Sequence, residues 1–145
     1  MGEVTQLSRA SIEAILPHRG RALMLDRAEV SENEAVGYFT VTEETCEGHF
    51  PGQPILRGVD RIEIIALTLA LAVAAEVPKG KVAFFGSING IKFRGQATVG
   101  DEVRAEVKVT QRSKLGAKGS GKLFVGDREI CSIERLTGVI GELKV

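Results

Sequence analysis

Two histidines, one glutamate and one glycine are the residues whose types and spacing could do chemistry here. His49 stands in Gly48-His49-Phe50-Pro51-Gly52, where glycines and a proline fix the backbone around a titratable ring and let another group approach closely. A lone histidine in a turn is usually structural, but Glu63 follows on a stretch that reads as a helix and is otherwise apolar. A carboxylate placed there loses hydration, so its pKa is expected to rise and the group to stay protonated near neutral pH. The competing reading is that Glu63, like Asp60, only complements the positive end of the helix. Gly58 opens that helix, and its N–H has no intrahelical acceptor. Such a donor can hold a carbonyl oxygen as negative charge develops on it. Base, acid and carbonyl-polarising amide are the parts needed to remove a proton beside a carbonyl and expel a hydroxyl.

The elements that must position these groups follow from the apolar periodicity. A short helix is expected from Ser8 or Ser11 to Ile15, capped by serine and stopped by Pro17. Ala22 to Val30 and Glu34 to Val41 read as strands around Ser31-Glu32-Asn33. The long helix runs from Gly58 to near Glu76, before Pro78, and Ile62, Ile64, Ile65, Leu67, Leu69, Leu71 and Val73 make it apolar nearly all round. A helix without a wet face must be wrapped by other structure. Lys81 to Arg94, Glu102 to Gln111, Leu115 to Val125 and Glu129 to Ile140 read as strands that supply the wrapping. Val103, Ala105, Val107 and Val109 alternate with Arg104, Glu106 and Lys108 in the period-two pattern of a half-buried strand. The predicted class is α+β, one domain over residues 1–145, with an antiparallel sheet curled around one central helix. Its open edge strands invite a second copy.

Composition narrows the function classes. Lys plus Arg and Asp plus Glu are 19 each, so the formal net charge is zero, which weighs against nucleic-acid binding. Cys46 and Cys131 form no C-x-x-C pair, so a metal or redox site has little support, and two free thiols suit a cytoplasmic protein. No basic start followed by an apolar stretch marks a signal peptide. The longest apolar stretch, Ile64 to Ala75 broken only by Thr68, falls short of the roughly 20 residues that span a bilayer.

Gly48-His49-Phe50-Pro51-Gly52-Gln53-Pro54-Ile55-Leu56, followed by Gly58-Val59 and Glu63, resembles the signature of the (3R)-hydroxyacyl-[acyl-carrier-protein] dehydratases of the FabZ type. The resemblance extends over nearly the whole chain, through Leu16-Pro17-His18-Arg19, Leu23-Met24-Leu25-Asp26-Arg27, Phe85-Gly86-Ser87-Ile88 and Lys92-Phe93-Arg94. It implies a hot-dog fold, a homodimer often assembled further into a trimer of dimers, and no metal or redox cofactor. It places His49 beside the partner's Glu63 at the end of an acyl tunnel, with Gly58, Phe50 and Val59 against the substrate. Neutral His49 would take the C2 proton, protonated Glu63 would donate toward the C3 hydroxyl, and the Gly58 N–H would steady the thioester oxygen. The product would be a trans-2-enoyl thioester. His18 is expected to be structural, bonded near the tunnel mouth. Lys92, Arg94, Arg112 and Lys114 are the candidate contacts for an acidic acyl carrier protein.

Against that pattern Arg57 replaces a usual Pro, Asp60 and Arg61 stand at positions commonly apolar, Leu67 replaces a common Gln, and Gly95 replaces a Pro. Arg61 is expected to reach solvent, and the apolar Leu67 to leave Glu63 drier. A thioesterase or a hydratase of coenzyme A esters on the same fold, and a non-catalytic scaffold that binds an acyl-carrier partner, are the alternatives. The His49 and Glu63 pair favours elimination over both.

Overall fold

The computed structural model describes residues 3–74 and 77–142. Its elements are β1 (Thr5–Leu7), α1 (Arg9–Ile15), β2 (Arg27–Val30), β3 (Glu34–Thr40), α2 (Gly58–Val73), β4 (Lys81–Phe93), β5 (Glu102–Ser113), β6 (Gly116–Val125) and β7 (Arg128–Glu142). The strands form one sheet in the order β1-β2-β3-β5-β6-β7-β4, with every neighbouring pair antiparallel. Helix α2 packs against β2, β3, β5, β6 and β7, so the sheet wraps it. This is the hot-dog arrangement, and it follows from the sequence: a helix carrying Ile64, Ile65, Leu67, Leu69 and Leu71, all buried, needs cover on several sides.

Glycine on the inner face of the sheet lets the wrap close. A Cβ at Gly37 on β3 would lie 2.3 Å from Thr68 Oγ1 and 2.7 Å from Leu25 Cδ2. A Cβ at Gly121 on β6 would lie 2.5 Å from Ile65 Cγ2. Thr68 cannot easily yield, because its hydroxyl donates to the Ile64 carbonyl at 2.8 Å and the residue is fully buried. Gly37→Ala is therefore expected to cost roughly 1–3 kcal/mol through overpacking, read as a lower midpoint in urea at unchanged slope.

One local expectation needs correction. Arg27–Val30 is the only strand within 22–30; Gly20–Ala22 forms a single 3-10 turn, and Leu23, Met24 and Leu25 are buried as loop. Their apolar run serves the core without pairing, which is why it read as strand. The three-residue β1 carries no alternation long enough to be seen in sequence, yet it pairs with β2 at the sheet edge. Glu76, where the long helix was expected to end, lies outside the described residues; the helix as described runs to Val73. Helix α1 begins as expected, with Ser8 Oγ accepting from the Ser11 amide at 3.2 Å.

Candidate active site

The loop that carries His49 is set by its turn residues. Phe50 and Gln53 exchange backbone hydrogen bonds at 3.0 Å in both directions, with Pro51 and Gly52 between them. Gly52 has φ +79°, the left-handed value that a type II turn requires after a proline. Gly48, at φ +82°, turns the chain into the histidine. The His49 amide donates to the Cys46 carbonyl at 2.8 Å, and its own carbonyl accepts from the Ile55 amide at 2.8 Å. The ring is tied to the same residue, with Nδ1 lying 3.2 Å from the Ile55 carbonyl oxygen. A carbonyl only accepts, so Nδ1 carries a proton, and Nε2 is the ring nitrogen left to offer a lone pair whenever the ring is neutral. The ring stacks on Phe50 with centroids 4.2 Å apart.

Helix α2 opens beside this loop. The Arg57 carbonyl takes the amides of Asp60 and Arg61, at 3.1 and 3.2 Å, while Gly58 and Val59 stand at the open end of the helix. Phe93 at the end of β4 lies over Gly58, where a Cβ would meet its ring at 3.3 Å. Phe50, Val59 and Phe93 are all exposed, and Val59 and Phe93 border that helix end.

Glu63 lies on a different face. With Ala66, Leu67, Ala70 and Val73 it forms the α2 wall of a cavity of about 230 Å³, closed on the other side by β4, β6 and β7 residues that include Phe85 and Leu136. The spacing i, i+3, i+4, i+7 is one stripe of a helix, and the two alanines keep that stripe low. Burial raises the Glu63 pKa, and the nearby Asp60 carboxylate raises it further. Leu67, 2% exposed, removes a polar neighbour from the same wall. His49 is not among the residues that line the cavity, so within one chain the candidate base and acid face different spaces.

A group whose folded-state pKa is raised stabilises the fold below its unfolded pKa, and that contribution is lost as pH rises through the folded value. Because the unfolded chain gives up this proton more readily than the folded one, Glu63 works against folding once the pH is above the ordinary carboxylate range. Glu63→Gln is expected to raise the denaturation midpoint near neutral pH, with the gain vanishing below the ordinary carboxylate range, as measured by urea titrations across pH.

The departures at the helix start have a structure. Arg57 and Asp60 form a two-point ion pair at 2.9 and 3.0 Å, an i, i+3 contact across the helix start. Arg61 does not reach solvent as expected. It is 5% exposed, donates through Nη1 to the Ile130 carbonyl at 2.9 Å, and lies 5.9 Å over the Phe93 ring. The end of the curled sheet reaches over the Arg61 side of the first turn of α2. Gly95 has φ +59°, which the proline ring forbids, so the replacement of Pro at this position accompanies a different backbone.

The four basic candidates do not form one patch within a chain. Arg112 pairs with Ala117, which pairs with Gly138, which pairs with Phe85. Lys92 lies seven residues further along β4, roughly 23 Å away along the strand direction. Lys92 and Arg94 sit near the Gly58 end, while Arg112 and Lys114 belong to the opposite end of the sheet. Arg112 also lines the cavity and donates to the carbonyls of Glu32 and Ala72.

A hot-dog sheet around a glycine-started helix, with a loop-borne imidazole and a half-buried carboxyl on an apolar cavity, offers groups suited to acid–base chemistry. The FabA-like domain matches residues 16–134. The chain is 40% identical to the "3-hydroxyacyl-[acyl-carrier-protein] dehydratase FabZ" of Koribacter versatilis, covering 90% of this chain and 88% of that one. It is 39% identical to the protein of the same name from Bacillus pumilus, covering 93% and 96%. Among solved structures, the dehydratase heterocomplex ApeI:P from Xenorhabdus doucetiae superposes with TM-score 0.78 over 90% of this chain and 91% of that one, at 13% identity, a likeness of fold. The chain belongs to the FabZ-type 3-hydroxyacyl-[acyl-carrier-protein] dehydratases, which are hydro-lyases.

Proposed function

We propose that the chain dehydrates a 3-hydroxyacyl group, carried as a thioester on acyl carrier protein, to the trans-2-enoyl thioester, with His49 of one subunit and Glu63 of another forming each site. The observation that carries this reading is the Nδ1 contact of His49 with the Ile55 carbonyl, because it leaves Nε2 as a base. Nε2 takes a proton from C2. The Gly58 amide holds the thioester oxygen while negative charge spreads onto it. The C3–O bond breaks, and the Glu63 proton completes the departing water. The acyl chain occupies the apolar cavity below Glu63.

Pairing of two copies along β4 supports the shared site. β4 is a 13-residue edge strand with one sheet neighbour, and its Phe84 and Phe85 are 46% and 52% exposed. An edge this long and apolar calls for cover, and a two-fold pairing supplies it. Assembly of three such dimers is the further step that the family resemblance supports. Phe50 and Val59 border the substrate, and Lys92 and Arg94 meet the acidic carrier beside the Gly58 end, with Arg112 and Lys114 as a second, separate pair. The two buried free thiols, Cys46 and Cys131, suit a cytoplasmic setting. The test is product analysis with a 3-hydroxyacyl carrier thioester. Enoyl thioester is expected; release of free thiol would make the chain a thioesterase, and carrier binding without turnover at any acyl length would make it a scaffold.

A further inference from the structure

His18 lines the same cavity as Glu63, and the backbone, not its own ring, holds it there. Pro17 precedes it. The Arg19 guanidinium donates to the carbonyls of Glu13 and Leu16 at 2.8 Å and of His18 itself at 2.7 Å. Arg9 holds the carbonyls of Leu23 and Leu25, at 3.0 and 2.9 Å, on the far side of the same loop. Five charge-assisted hydrogen bonds thus fix the segment, and none goes to the imidazole. Its Nδ1 is sealed from solvent without a partner, and among the described residues Nε2 has no partner either. A structural histidine normally spends its ring nitrogens on bonds, so the expectation of a bonded, structural His18 does not hold.

We propose that His18 is a substrate-binding residue of the dehydration site, its Nε2–H donating to the C3 oxygen of the bound 3-hydroxyacyl chain and holding the hydroxyl toward Glu63. This rests on Glu63 being the acid. Burial, and then the Arg19 charge, lower the His18 pKa and keep the ring neutral, so it has one N–H to place. On Nδ1 that proton would be a sealed donor with no acceptor; on Nε2 it can reach a ligand. The C3 oxygen is the atom assigned because Glu63 shares the cavity with His18, whereas Gly58, which holds the thioester oxygen, is not among its walls. A hydroxyl oxygen accepts two hydrogen bonds, so it can take the Glu63 O–H and the His18 N–H together. The proton balance is unchanged: His49 removes the C2 proton, Glu63 supplies the proton of the departing water, and His18 transfers none.

Two amide-linked pantetheine analogues of equal chain length, one 3-hydroxyacyl and one saturated, separate this role from a structural one. Calorimetry should show His18→Ala binding the hydroxylated analogue roughly tenfold more weakly and the saturated one unchanged. His18→Gln, whose amide nitrogen falls near the position of Nε2, should restore binding of the hydroxylated analogue to within about threefold, and His18→Asn should not. Equal weakening of both analogues, or no change in either, would overturn the proposal. Should His18→Ala fail to fold, the Gln and Asn variants carry the same comparison. Wild-type turnover assayed alongside keeps the two readings apart: no enoyl product from wild type removes the dehydratase reading, while normal turnover with undiscriminating His18 variants removes only this one.

Discussion

His49→Ala is expected to lower kcat for enoyl formation by about 10²- to 10⁴-fold, the usual worth of a positioned general base. The geometry explains why so much should rest on one ring. The Ile55 carbonyl fixes the tautomer, the His49 backbone is bonded to the same residue, and the turn at Pro51-Gly52 holds the loop on both sides. His49→Gln is expected to do little better than alanine, because an amide at that place has no basic lone pair to offer. The fold should be indifferent to either change, since the ring is half-buried and makes one side-chain hydrogen bond. Stopped assays of enoyl product with matched urea midpoints measure both halves of the claim. Retention of full turnover by the alanine variant would remove His49 from the chemistry and the dehydration mechanism with it.

Most of the wrap was legible because burial leaves a strong mark on sequence. An apolar helix with no wet face demanded a sheet on several sides, and the alternation from Val103 to Val109 announced one of its strands. The rest was written in weaker signals. Loop residues Leu23, Met24 and Leu25 carry core-like side chains without strand pairing, so apolar content misled. The register that separates Arg112 from Lys92 depends on three strand pairings that local pattern does not encode. The site divides in the same way. His49 and Glu63 stood out because each is a titratable group in the wrong company, one among turn formers and one among isoleucines. Arg61 broke the rule that a charged residue at a helix start faces water, because the covering strand end comes from residues distant in sequence. His18 looked ordinary until the structure showed what it lacks, and bonds not made leave no trace in a sequence.

Two of the departures bear on the acid, and a third is tied up at the helix start. Arg57 is half-exposed next to Gly58, but Asp60 takes its guanidinium at two points, so its charge is largely spent within the helix start. Asp60 in turn raises the pKa of Glu63, and Leu67 keeps water off the same wall. Burial, Asp60 and Leu67 act in one direction, toward a carboxyl that holds its proton, as an acid that must donate to a leaving hydroxyl requires.

Mixing two inactive variants is expected to restore activity. His49→Ala lacks the base and Glu63→Gln lacks the acid, so each homodimer should turn over about 10²-fold or more below wild type. The single chain shows why the lesions should complement: His49 does not line the Glu63 cavity, and its ring is tied to Ile55 within its own loop. If each site takes His49 from one subunit and Glu63 from the other, a hybrid dimer holds one site with both lesions and one with neither. Random exchange of equal amounts makes half the dimers hybrids, so specific activity should rise to about one quarter of wild type. Unfolding and refolding the variants together, against each refolded alone, supplies the exchange and its controls. Activity that stays at the level of the separate variants, while light scattering shows dimers and tagged chains show exchange, would place base and acid in the same subunit and overturn the shared site.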